Sequence, residues 1–200
     1  MLTVYVIIKK TQEEGIRVKH KKDSVQSMIF ISLFATLMCI GAWIHFPSAV
    51  PATMQTFVVF TALGILGSKR AFAVLTVYIL LGITGLPVFS GFTGGIGALT
   101  GPTAGFIWGF VLGVPVFGAF EKHFSSKKHT LYIAYILYIL LHYIPGALWY
   151  CYFTLKDITF GGLMSSVLVT VVPFIIPDAV KLLTAILTVK RINSIIKTKL

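Results

Sequence analysis

The segment GLPVFSGFTGGIGALTGPTAGFIWG, residues 85–109, is the glycine-dense part of a chain otherwise dominated by apolar residues. Its meaning depends on what surrounds it. Of 200 residues, 56% are hydrophobic and 12% charged, and the mean hydropathy is +0.91. Ordinary soluble domains carry about 25% charged residues. The composition is that of a membrane protein, and at about 20 apolar residues per crossing helix the length suits about six crossings.

The formal net charge of +11 raises the question of a nucleic-acid partner, because basic tails commonly bind phosphate backbones. The distribution of charge answers it. Lys9, Lys10, Arg17, Lys19, Lys21 and Lys22 precede the first long apolar run. Lys69 and Arg70, then Lys122, Lys127 and Lys128, then Lys190, Arg191, Lys197 and Lys199 form the later clusters. Every second connection between apolar runs lacks basic residues apart from Lys156. This is the positive-inside pattern, and it implies a lipid bilayer rather than nucleic acid. It predicts an all-α integral membrane protein, a compact bundle of six transmembrane helices at residues 25–46, 52–68, 71–87, 102–120, 130–153 and 162–189, with both termini cytoplasmic. The quoted segment then covers an outer loop between helices three and four and the start of helix four.

Three regions are expected: a basic cytoplasmic tail over residues 1–24, a membrane domain over 25–190, and a second basic tail over 191–200. The apolar start MLTVYVII has its lysines after it rather than before it and is too short for the core of a secretory signal. Cys39 and Cys151 fall inside spans with no metal-ligand spacing around them, so they read as small apolar residues.

The glycines of the quoted segment do not follow a nucleotide-binding rule. A P-loop needs Lys-Ser or Lys-Thr after its last glycine, and a dinucleotide fingerprint needs its third glycine three residues after the second. Thr100 stands three residues after Gly97, and no lysine follows. From Gly97 a different pattern appears, since Gly97, Gly101, Gly105, Gly109 and Gly113 recur every four residues. With Pro102 suited to a first helical turn, Gly105, Gly109 and Gly113 share one helix face, and small residues so spaced let helices pack closely in lipid. The stretch from Pro87 to Gly97 needs another explanation. Irregular backbone near membrane depth is tolerated where protein buries it or where it lines a cavity, and successive glycines can turn several N–H groups toward an anion.

PFIIPDAVKLL, residues 173–183, holds the other decisive feature. Asp178 is the acidic residue inside a span, and Lys181 is its basic counterpart three residues on. Each charge near a helix centre costs about 2.5–3.5 kcal/mol on insertion scales, and residues three apart share a face. Pro173 and Pro177 remove backbone donors, and a proline within a span kinks the helix. An ion pair beside such a kink reads as a ligand site facing a cavity.

Taken together, GLPVFSGFTGGIGALTGPTAGFIWGF, Gln55-Thr56-Phe57, the Gly67-Ser68-Lys69-Arg70 turn and the Asp178-x-x-Lys181 pair resemble the BioY family. These are biotin transporters, substrate-binding components of energy-coupling factor transporters. The resemblance covers roughly residues 28–190. It implies biotin binding from outside and delivery inward through an energy-coupling transmembrane scaffold and two cytoplasmic ATPase subunits, in a bacterial cytoplasmic membrane. The chain itself would then use no cofactor, ATP being consumed by the partners.

The resemblance places Asp178 and Lys181 against the vitamin. Biotin carries a ureido ring with two N–H donors and one carbonyl, and a carboxylate at the far end of a flexible chain. Two neighbours on one helix face do not hold both ends. Asp178 is therefore expected to accept a ureido N–H and Lys181 to donate to the ureido oxygen, both as charge-assisted bonds. The carboxylate is then left to the backbone N–H groups around Gly91, Gly94 and Gly95 and to the Thr93 hydroxyl. Tyr78, Phe89, Phe92, Trp149 and Tyr150 are candidate apolar walls, with an interfacial aromatic belt as the alternative for the last two. Gln55 is a candidate polar lining residue or a helix cap. On span one, Ser32 and Thr36, and then Ala35 and Cys39, form overlapping small-residue pairs. These suit either the scaffold interface implied by the resemblance or packing within the bundle.

Two other classes compete. A self-sufficient secondary carrier for another small anionic metabolite would use Asp178 for ion coupling. A membrane hydrolase would need a nucleophile with its base, and His45 and His142 belong to no such motif. The chain is therefore expected not to be an enzyme.

Overall fold

The computed structural model describes residues 24–48, 50–123, 128–156 and 158–198. The expected N-terminal tail, apart from Ser24, lies outside them. The described architecture is helical with one short ladder. Helix α1 covers Ser24–Trp43. Strands β1 (His45–Phe46) and β2 (Ala52–Thr53) pair antiparallel, His45 opposite Thr53 and Phe46 opposite Ala52. Then follow α2 (Gln55–Leu66), α3 (Ser68–Ile83), α4 (Ile96–Thr100), α5 (Ala104–His123), α6 (Lys128–Tyr150), α7 (Phe160–Thr170) and α8 (Val172–Thr198).

Among the described residues, four helical segments are long and apolar enough to cross a membrane: Ser24–Trp43, Ala104–His123, Tyr132–Leu155 and Val172–Ile195. The third includes a π-helical turn, Cys151–Leu155, that extends α6. Helix α2 has 12 residues. At about 1.5 Å per residue it rises ~18 Å, short of a hydrocarbon core of about 30 Å. A single residue, Gly67 at φ +76°, joins α2 to α3, a conformation that costs glycine little and other residues more. Glu121 on α5 fixes that junction by accepting from the Ser68 backbone N–H at 3.2 Å.

The four-residue glycine period is a packing seam. A Cβ at Gly105 would lie 2.5 Å from the Pro145 carbonyl oxygen, one at Gly109 2.6 Å from that of His142, and one at Gly113 2.7 Å from the Tyr138 ring. Helices α5 and α6 thus approach at distances only glycine allows, as expected where dispersion drives association in lipid. Tyr138 and Tyr135 are buried beside this seam, and their hydroxyls donate to the carbonyls of Phe110 and Phe60 at 3.1 and 2.9 Å. Burial of these polar atoms is thereby matched by bonds.

The span expected over residues 162–189 is not one helix. It breaks at Val171 (φ −121°, ψ −53°), between α7 and α8. Pro173 therefore stands in the first turn of α8, where a missing N–H costs nothing, and is not a kink within a continuous span. Pro177 does lie inside α8. The basic stretch from 191, expected as a tail, continues α8 as far as Thr198.

Candidate functional site

Helix α2 packs along α8, and Gly64 makes this possible: a Cβ there would meet Val189 at 2.6 Å. The first turn of α2 is thereby brought to the level of Asp178. Because β2 runs directly into α2, Thr53, Gln55 and Thr56 arrive together. The Met54 N–H donates to the Gly41 carbonyl at 2.9 Å and ties this junction to the end of α1.

The glycine-rich connection between α3 and α4 forms another part of the same wall. Gly85, Gly91 and Gly95 have φ of +91°, +69° and +80°, values that glycine reaches without steric cost. Phe92 shares this region at φ +56°. The Phe89 N–H donates to the Thr93 carbonyl at 2.9 Å and the Gly95 N–H to the Gly82 carbonyl at 2.7 Å. At Gly94 the reason for glycine is space, since a Cβ would lie 2.2 Å from the Leu86 carbonyl oxygen. Trp43 holds the loop from outside. Its indole N–H donates to the Pro87 carbonyl at 2.8 Å, and its ring stacks on Phe92 at 5.2 Å.

Between these parts lies a cavity of about 570 Å³, within the usual range for a small-molecule site. Much of its wall is apolar, from Val50, Phe89, Phe106, Ile107, Phe110 and Phe174. Among the described lining residues, Asp178 and Lys181 are the charged pair. Asp178 is 5% exposed. Its Oδ1 accepts from Lys181 Nζ at 2.8 Å and from Thr56 Oγ1 at 3.0 Å, and its Oδ2 accepts from Tyr143 OH at 2.7 Å. Lys181 Nζ also donates to the Thr53 carbonyl at 2.7 Å. Charge compensation and several hydrogen bonds keep such a pair buried. Beside it runs a neutral chain: Thr53 Oγ1 donates to Gln55 Oε1 at 2.9 Å, Gln55 Nε2 to Tyr78 OH at 2.7 Å, and Tyr78 OH to the Val88 carbonyl at 3.1 Å.

Of the residues singled out from sequence, Asp178, Lys181, Gln55, Tyr78, Thr93, Gly94 and Phe89 line this one cavity. Gly91 and Gly95 shape the loop but are not on the wall, and the Thr93 hydroxyl donates to the Ser90 carbonyl at 2.9 Å. Phe92 stacks outside on Trp43. Trp149 donates to the Gly101 carbonyl at 2.9 Å, and Tyr150 is buried in a cluster with Phe106, Tyr143 and Phe174. The small residues of α1 divide between two faces. Ala35 and Cys39 are buried in the core, while Ser32 and Thr36 face outward.

Sequence reasoning missed Thr53, Thr56, Tyr143 and Phe174, together with the first-loop residues Ser48 and Val50 that help to close the cavity. Thr56 had a signal, since it adjoins Gln55. Tyr143 and Phe174 had none, because one apolar-span aromatic looks like another.

A helical membrane protein with a largely apolar cavity and a buried ion pair on its wall has the parts of a substrate-binding membrane component. The match to the BioY family model runs over residues 12–198, and the chain belongs to the BioY family. It is 34% identical over 181 residues to the biotin transporter BioY of Thermotoga maritima, covering 86% of this chain and 98% of that one. With the probable biotin transporter BioY of Pyrococcus horikoshii it shares 33% over 164 residues, 82% of this chain and 93% of the other. Among solved structures, the S-component for biotin from an ECF-type ABC transporter superposes with a TM-score of 0.74, at 22% identity, over 86% of this chain and 93% of that one. That likeness speaks for the fold.

Proposed function

We propose that this chain is the biotin-binding, substrate-specific component of an energy-coupling factor transporter in a bacterial cytoplasmic membrane, a transport protein and not an enzyme. The observation that carries the reading is the Asp178–Lys181 pair, buried on the wall of a cavity that is otherwise largely apolar. Biotin presents the matching chemistry, a polar cyclic urea fused to an apolar ring and chain. In the bound state Asp178 accepts a ureido N–H and Lys181 donates to the ureido oxygen, while Phe89, Phe106 and Phe110 flank the apolar rings. The carboxylate is held near Thr93 and Gly94 by neutral donors.

The six crossings, cytoplasmic termini and outward glycine-rich loop read from the basic clusters belong to this proposal. So does the energy source. A transmembrane scaffold with two ATPase subunits would supply it, the scaffold docking on the outward small face of α1 at Ser32 and Thr36, and the chain would need no cofactor. The test is calorimetry of biotin binding to the purified protein alongside Asp178→Asn and Lys181→Met. Wild type binds, and each variant binds at least tenfold more weakly, because removing one member strands the other. Unchanged affinity in both variants overturns the site; accumulation of biotin by the chain alone in liposomes would favour a self-sufficient carrier.

A further inference from the structure

Charge on the cavity wall is confined to one place. Among the described lining residues Asp178 and Lys181 carry it, and they engage each other, Nζ to Oδ1 at 2.8 Å. The remainder of the described lining, from Ser48 through the glycine-rich loop to Phe174, is neutral. Biotin, by contrast, is an anion, with its carboxylate at the far end of the chain from the ureido head. A carboxylate that enters an apolar cavity gives up its water, and this is costly unless a cation or several donors replace it.

The hydroxyl groups of the wall do not supply those donors. Ser48 donates to the Val50 carbonyl, Tyr78 to that of Val88 and Thr93 to that of Ser90. A carbonyl oxygen only accepts, so the direction of these bonds is fixed. Thr53 donates to Gln55 Oε1, and Thr56 and Tyr143 donate to Asp178. These oxygens keep lone pairs but have no proton left for a ligand. Ser90 Oγ and His142 Nδ1 lack partners, yet each has less than 1 Å² of accessible surface and is closed to a bound molecule. What remains for an acid end is neutral, such as the Thr103 hydroxyl and backbone N–H groups of the kind assigned above near Gly94.

A neutral donor serves the carbonyl oxygen of an amide as well as it serves a carboxylate. We infer that the site does not read the acid end of biotin as a charge, so that its ligand class is a ureido head on an apolar chain and neutral carboxamides of biotin are ligands alongside the free acid. The inference rests on the biotin reading above and adds to it a claim about the opposite end of the molecule. Two effects of opposite sign set the balance. A carboxylate makes the stronger bond to an N–H donor, but it costs more to desolvate than an amide does. The lone pairs left on the wall also suit the amide, which brings N–H groups of its own.

The experiment is calorimetry on the purified full chain with biotin and its primary carboxamide, for wild type and Lys181→Met. In the wild type the amide should bind within about tenfold of biotin and displace it, whereas a cation reading the acid would make the amide weaker by about a hundredfold or more. Lys181→Met should weaken both ligands by similar factors, because Lys181 serves the head they share. The ratio between ligands is read within each protein, so a general loss of folded protein does not imitate the result. If Lys181→Met does not fold, the wild-type ratio decides alone. An amide more than tenfold weaker than biotin in the wild type overturns the inference and leaves the biotin reading intact. So does a Lys181→Met variant that loses biotin but keeps the amide, since Lys181 would then hold the acid. No binding of biotin by the wild type overturns the biotin reading itself.

Discussion

Around Asp178 the cavity wall consists of side chains carried on α2, α6 and α8, whereas between Val88 and Gly101 it consists largely of backbone held by its own hydrogen bonds. On the first side a charged pair is compensated by Thr53 and Thr56, from the junction of β2 and α2, and by Tyr143 from α6. On the second no described side chain is charged, and shape comes from glycines at positive φ and from the close approach of Gly94 to Leu86. The difference separates two tasks. Side chains on packed helices supply a fixed pattern of donors and acceptors, while a backbone wall supplies fit with little electrostatic demand.

If that division is right, the largest loss comes from breaking the charged side. Lys181→Met leaves Asp178 buried with neutral donors only, and removing one partner of such a pair costs about 3–5 kcal/mol. Thermal unfolding of the ligand-free protein in detergent measures this. The double variant Asp178→Asn/Lys181→Met should recover much of the loss, since no charge is then stranded. Strict additivity of the two single effects would show that the pair does not act as a unit.

On the backbone side the largest effect should come from Gly94→Ala. The added Cβ would meet a carbonyl oxygen at 2.2 Å, and a backbone atom does not yield as a flexible side chain does, so overpacking of about 1–3 kcal/mol is expected. Gly91→Ala is the matched control. It has a positive φ but nothing within 4 Å of the new atom, so only the backbone term of about 1 kcal/mol remains. Equal losses in the two variants would mean that conformation, and not space, determines the loop.

The two sides were also unequally legible in the sequence. Asp178 and Lys181 could be found because ionisable residues are costly in apolar helices, and the Gly105, Gly109, Gly113 seam because its period matches a helix face. The loop glycines announced irregular backbone, but which of them face a ligand depends on turns that no local pattern specifies: Thr93 and Gly94 line the cavity and Gly91 does not. The two-residue ladder at His45–Phe46 and Ala52–Thr53 is too short to leave a period. Thr56 and Tyr143 reach Asp178 across 122 and 35 residues of chain, a relation set by how α2 and α6 pack on α8. The break at Val171 escaped notice because the apolar run continues through it, and two nearby prolines read equally well as kinks in one helix.

Tyr143→Phe tests the charged side more gently. It removes a 2.7 Å bond to Asp178 Oδ2 but leaves Lys181 and Thr56 on Oδ1. Hydrogen bonds to charged groups contribute about 1.5–3 kcal/mol, so a loss near 2 kcal/mol in unfolding free energy is expected. A loss below about 0.5 kcal/mol would mean that water replaces the hydroxyl, which is incompatible with a dry ion pair.

The counterpart on the backbone side is Trp43→Phe, where the effect should be smallest. The indole N–H bond to Pro87 disappears, but a phenyl ring can keep the stack on Phe92. Trp43 is 38% exposed and Phe92 62%. The freed Pro87 carbonyl therefore regains water and no buried group is stranded, which limits the loss to about 0.5–1 kcal/mol, or roughly 1–4 °C in melting temperature for a chain of this size. Biotin affinity should change less than threefold. The two variants each delete one neutral donor, so their ratio isolates environment from bond chemistry. Were Trp43→Phe to cost as much as Tyr143→Phe, the backbone wall would be held as rigidly by side chains as the charged one, and the contrast between the two sides would fail.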